Sequence, residues 1–153
     1  KVTIERFNGY IEAMQEAKLE VKDDYIQYSS SDYRSGFEKM NKLLDLEDRP
    51  TAVFCSDDAL ASYAVRAVIN RGLRVPEDVS IMGFDNQSIL PDHYIGPKIT
   101  SVEQPLYQIG MDSIELVNKR LNNKEIKEPI MKMYETKIIE QETVCEYKNL
   151  KDR

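Results

Sequence analysis

Ile4, Phe7, Ile11 and Met14 recur at steps of three and four, which draws one apolar stripe along a helix at the start of the chain. Residues 21–27 break that period, and residues 25–28 form a short β-prone run. Ser29, Ser30, Ser31 and Asp32 offer N-caps for a second helix that carries Phe37, Met40, Leu43 and Leu44 inward. Asp48-Arg49-Pro50 ends it. Residues 51–55 then read as a buried strand, because their apolar run is continuous rather than alternating, as in parallel strands covered on both faces.

Ser56-Asp57-Asp58 opens a third helix with Leu60, Ala64, Ala67 and Val68 facing inward. Gly72 fits its C-terminal cap and Pro76 prevents its continuation. Residues 79–82 form a second buried strand, and residues 83–98 a long loop rich in Pro, Gly, Asp and Asn. A short strand over 99–102, a helix from near Pro105 to near Asn122 and a strand over about 130–139 complete the pattern, with a charged, frayed tail. Helices alternating with apolar strands predict an α/β protein: a parallel sheet flanked by helices on both faces and joined by right-handed crossovers.

The length of 153 residues fits one core, and the 31% of charged residues fits a solvated surface rather than a disordered chain. A net charge of −6, with Lys and Arg scattered among acids, speaks against a nucleic-acid face on this chain. Cys55 and Cys145 lie far apart and suggest neither a disulfide framework nor a zinc site, which favours a reduced, cytoplasmic setting. No apolar run approaches the roughly 18 residues of a membrane helix, so no membrane contact is expected. The chain opens on Lys1 without a secretory leader, and its first methionine is Met14, which suggests a piece of a longer or processed chain.

In open α/β sheets, ligands bind beyond the carboxyl ends of the strands. Two predicted strands end in polar groups there: Ser56, Asp57 and Asp58 after one, Asp85 and Asn86 after the other. Ionised carboxylates only accept hydrogen bonds, so such a cluster suits a ligand with several hydroxyl donors, such as a sugar. Plain alternatives stand beside this. Ser56 or Asp57 can cap the third helix, Asp85 can hold a turn, and Arg6 can sit on a solvated helix face rather than donate its fork to ligand oxygens. His93 is an ordinary loop residue. The glycines are too dispersed for a phosphate loop or dinucleotide fingerprint, and no nucleophile elbow or zinc motif occurs. No catalysis, no metal and no cofactor is expected. A receiver-like or phosphatase-like domain, with Lys98 as a loose candidate, is the weaker alternative.

Four blocks then point to a family. Pro50-Thr51-Ala52-Val53-Phe54-Cys55-Ser56-Asp57-Asp58-Ala59-Leu60-Ala61 and Val75-Pro76-Glu77-Asp78-Val79-Ser80-Ile81-Met82-Gly83-Phe84-Asp85-Asn86 resemble two blocks of the LacI/GalR transcription regulators. Ile99-Thr100-Ser101-Val102-Glu103-Gln104-Pro105, followed by Gly110, and Arg6-Phe7-Asn8-Gly9-Tyr10 resemble two more. The resemblance implies the C-terminal lobe of a type I periplasmic-binding-protein-like effector domain. It places the DNA-binding helix-turn-helix and most of the N-terminal lobe outside this chain. It also implies a small-molecule effector, commonly a sugar and sometimes a nucleoside or purine. Arg6 would hold ligand oxygens, Asp85 would accept from two hydroxyls, and Ser56 would stand where relatives usually carry Asn. Asp57 and Gln104 would border the cleft.

Ser31 stands where relatives often place a stacking aromatic, and the small polar residue at Ser56 leaves open a protein corepressor in place of a sugar. A sugar-transport binding protein is the competing class. By the same resemblance residues 1–104 form the C-terminal lobe, residues 105–139 a helix and strand belonging to the N-terminal lobe and its return, and residues 140–153 a tail. Leu106, Gly110, Ser113, Ile114, Val117 and Leu121 form one largely apolar face. It should be covered by a second copy, by refolding onto the sheet, or lost to disorder of the segment. A homodimer is the expectation.

Overall fold

The computed structural model describes residues 2–30, 32–87, 94–122 and 128–146. Ser31 and His93 lie outside them, as does the end of the tail. Helix α1 spans Val2–Glu16, α2 Tyr33–Leu44, α3 Asp58–Asn70 and α4 Leu106–Asn122. Strands β1 (Ala52–Phe54), β2 (Ser80–Phe84), β3 (Thr100–Glu103) and β4 (Lys137–Ile139) form one sheet in the order β1-β2-β3-β4.

The first three strands are parallel, with Val53 opposite Ile81 and Met82 opposite Thr100. The fourth runs antiparallel, with Val102 opposite Ile138, so the sheet is mixed rather than parallel throughout. Of the expected strand over 130–139 only the last three residues pair. Pro129 supplies no amide to a ladder, and β-propensity becomes a strand only where a neighbour's edge is in reach. The same reason accounts for residues 25–28. Asp23–Tyr25 form a 3₁₀ turn, and the residues after it belong to no strand. Residues 51–55 differ too: β1 is an edge strand, and Phe54 keeps 37% of its surface exposed, so the run is not buried on both faces.

Asp32 caps α2, its Oδ1 accepting from the Ser35 amide at 2.9 Å, and Asp57 caps α3 in the same way through the Leu60 amide at 2.8 Å. Gly72 ends α3 at φ +73°, in the left-handed region glycine enters without strain. Helices α2 and α3 pack on each other and cover one face of the sheet. Met40, Leu43 and Leu44 meet Ala61, Ala64, Val65 and Val68, with Val79, Ile81 and Ile99 beneath them. On β2, alternation sends Ile81 and Gly83 into this core and Phe84 to the opposite face. There α1 approaches the rim, with Arg6 over the Phe84 ring.

Candidate functional site

The loops that leave β1, β2 and β3 converge at one rim because parallel strands all end on the same side. Ser56 follows β1, Asp85 follows β2 and Gln104 follows β3. Arg6 comes from the first turns of α1. Its Nη2 donates to Asp85 Oδ1 at 2.8 Å, and its Nη1 donates to the main-chain carbonyl of Ser56. Gln104 Nε2 donates to the same Asp85 oxygen at 2.6 Å. The guanidinium carbon stands 3.8 Å from the centre of the Phe84 ring, and that ring meets Phe54 edge-to-face at 6.3 Å. The Arg6 side chain is 14% exposed and that of Asp85 25%, so their attraction acts across a medium less polarisable than bulk water.

The rim therefore brings Arg6, Ser56, Asp85 and Gln104 together. Ser56 takes part through its main-chain carbonyl. Asp57 borders the rim but commits an oxygen to capping α3, the plainer of its two readings. Asp85 and Asn86 adopt φ +93° and +45°, a left-handed turn that non-glycine residues rarely hold. The Asn86 side chain donates to Glu103 Oε1 at 3.0 Å.

Three residues of this region had no role of their own assigned from the sequence. Phe84 supplies the face under Arg6, a cation–π contact whose only signal was an aromatic one position before Asp85. Asp58 and Ser101 lie beneath the turn, joined by a 2.6 Å bond from Ser101 Oγ to Asp58 Oδ1. The signal for Asp58 was Gly83: a Cβ there would stand 2.1 Å from Asp58 Oδ1, so only glycine fits. Burial raises the Asp58 carboxyl above its ordinary value, and bonds from Ser101 and the Gln87 amide work against that rise. Cys55, buried just after β1, has its thiol pushed up to about 12 by burial and by Asp57 and Asp58, which disfavours the reactive thiolate. Among the described residues no group of His, Cys, Asp and Glu could hold a metal ion.

A sheet whose parallel strands gather charged and amide groups at their carboxyl ends, flanked by helices, is the arrangement of the periplasmic-binding-protein-like class. The sequence profile of the periplasmic binding protein-like domain matches residues 1–144. The HTH-type transcriptional repressor PurR of Mannheimia succiniciproducens is 36% identical over 91% of this chain and 41% of its own length. A transcriptional regulator CelR–cellobiose complex superposes with a TM-score of 0.81 at 34% identity, over 92% of this chain and 42% of that one. A LacI family transcriptional regulator from Enterococcus faecium with bound ribose gives a TM-score of 0.81 at 25% identity, over 95% of this chain and 53% of that one. The chain belongs to the LacI/GalR family, within its effector-binding domain. It spans about two-fifths of the length of the curated relatives it matches. The named relatives are repressors and regulators, not enzymes. Among the described residues no helix is long and apolar enough to cross a membrane.

Proposed function

We propose that this chain is the effector-binding part of a cytoplasmic, small-molecule-responsive transcription repressor, with a sugar or similarly hydroxylated effector held at the rim of Arg6, Asp85 and Gln104. One observation carries the reading. A partly buried carboxylate is held by two side-chain donors through a single oxygen, Oδ1, and neither bond uses Oδ2. A carboxylate fixed in this way can accept from ligand hydroxyls without first being reoriented. Arg6 supplies donors to the ligand's oxygens, and Ser56 and Asp57 border the same opening. The printed ligands of two similar structures, cellobiose and ribose, are polyhydroxylated, which supports the reading.

Calorimetric titration of the purified chain tests it, using pentoses, hexoses, disaccharides and nucleosides, ribose and cellobiose included. Binding by a member of this panel should weaken by about 1.5–3 kcal/mol in Asp85→Ala, the worth of a hydrogen bond to a charged group. Unchanged affinity in that variant sinks the assignment. Contact with DNA is proposed to belong to a helix-turn-helix outside these residues. A salt-sensitive gel shift by this chain alone would contradict that.

The proposal includes a homodimer. The apolar face of helix α4 is open within one chain, with Ile114 71% and Leu121 73% exposed, which supports cover by a second copy. Open apolar surface costs about 25 cal/mol per Å² relative to burial. Light scattering at tens of micromolar should report a dimer that Ile114→Lys weakens. A monomer before and after the substitution rules the dimer out.

A further inference from the structure

Asp58 is the first residue of α3 and is 2% exposed, although Asp57 already caps that helix. An acid at this position could favour the helix dipole from solvent, without burial. Asp58 instead turns inward. Its Oδ1 accepts from Ser101 Oγ at 2.6 Å and its Oδ2 from the main-chain amide of Gln87 at 2.6 Å. Ser101 Oγ accepts in turn from the Asn86 amide at 3.0 Å, and the Val102 carbonyl accepts from the Asp85 amide at 2.9 Å.

Three consecutive amides, of residues 85, 86 and 87, thus each meet a fixed acceptor, and two of those acceptors are Asp58 itself and the hydroxyl it holds. These are the residues that carry the left-handed turn at Asp85 and Asn86. Non-glycine residues hold such a conformation only where the surroundings over-determine it. The absent Cβ of Gly83 leaves the space the Asp58 carboxylate fills.

We propose that Asp58 is the positioning residue of the rim: directly through Gln87, and through Ser101 to Asn86, it fixes the left-handed turn and so aims the Asp85 carboxylate at Arg6 and Gln104. Asp58 itself touches no ligand. Its functional consequence rests on the reading of Asp85 as the effector's acceptor, but the aiming does not.

Solution NMR of the full chain, with no ligand present, tests this directly. The readouts are the one-bond Cα–Hα couplings and intraresidue amide–Hα NOEs of Asp85 and Asn86, which separate positive from negative φ, and the exchange rate of the Arg6 guanidinium protons. In Asp58→Ala the left-handed couplings should vanish and Arg6 exchange should rise at least about tenfold, the factor expected when hydrogen bonds to a charged group are lost. Ser101→Ala leaves Asp58 in place and should give the same change in weaker form. Asp58→Asn keeps one acceptor oxygen and should restore part of the couplings. A folded Asp58→Ala variant with unchanged couplings and Arg6 protection overturns the proposal, whatever its stability. If Asp58→Ala does not fold, Ser101→Ala decides by the same criterion. Because no effector enters the measurement, failure of Asp58 to aim the rim and failure of the rim to bind are separate results.

Discussion

Helices α3 and α4 carry apolar stripes of the same helical spacing, and they end in opposite circumstances. Ala61, Ala64, Val65, Ala67 and Val68 of α3 vanish between α2 and the sheet, all 4% exposed or less. Helix α4 buries no residue, although Met111, Ile114, Val117 and Leu121 repeat along one side of it. A stripe of this kind forecasts a helix and the side that wants cover. It does not say what provides the cover. For α3 the cover is local in sequence, because α2 and β2 flank it in the chain. For α4 nothing among the described residues covers the stripe: Met111, Ile114, Val117 and Leu121 are each more than half exposed.

Substitution in the two stripes should separate these regions most sharply. Ile81 lies under α3 and is fully buried, so Ile81→Ala should cost about 2–5 kcal/mol by chemical denaturation. Ile114→Ala on α4 should change the stability of the monomer by no more than about 0.5 kcal/mol. Measured at concentrations low enough to keep the chain monomeric, equal costs would mean that α4 is covered within one chain and would erase the contrast.

The helix start gives a smaller effect. Asp57→Ala removes the acceptor of the Leu60 amide and should cost about 1 kcal/mol, read in the same denaturation experiment. A negligible cost would show that the cap matters little beside the packing of α3.

The smallest effect concerns pH and lies on the α4 side. Lys132 hydrogen-bonds the Asp112 carboxylate, and Tyr134 adds a bond to it at 2.7 Å, which together hold Asp112 at about 2 against an ordinary 3.8. The folded value is the lower one, so this contribution to stability is complete above the ordinary value and fades as pH falls toward about 2. Tyr134 ring resonances should therefore shift between about pH 4 and pH 2, while those of Phe37 in the α2–α3 region stay still. A Tyr134 shift centred near pH 3.8, rather than toward pH 2, would show that the tie between α4 and residues 132–134 does not persist in solution.

Much of the fold was legible because the signals were local. The stripes of α1 to α4, the caps at Asp32 and Asp57 and the stop at Gly72 each depend on residues within about one turn of one another. At the rim, Asp85 and Ser56 could be placed because strand ends collect at one side of a parallel sheet, and Arg6 and Gln104 followed from family resemblance. Phe84 under Arg6 and the Asp58–Ser101 pair could not be placed, since neither alternation nor spacing says which side chains of separate segments meet; Asp58 lies 29 residues from Gln87 and Ser101 15 from Asn86.

What the residues determined alone is therefore the four helices, the three parallel strands and the side of the sheet on which its chemistry collects. Tertiary structure decided the rest: the reversed direction of β4, the edge position of β1, the unpaired residues after Tyr25, and the use of Ser56 through its carbonyl. The physical reason is shared. Helices close their hydrogen bonds within their own turns, whereas a strand, a buried carboxylate or an apolar face is completed only by a partner distant in the chain.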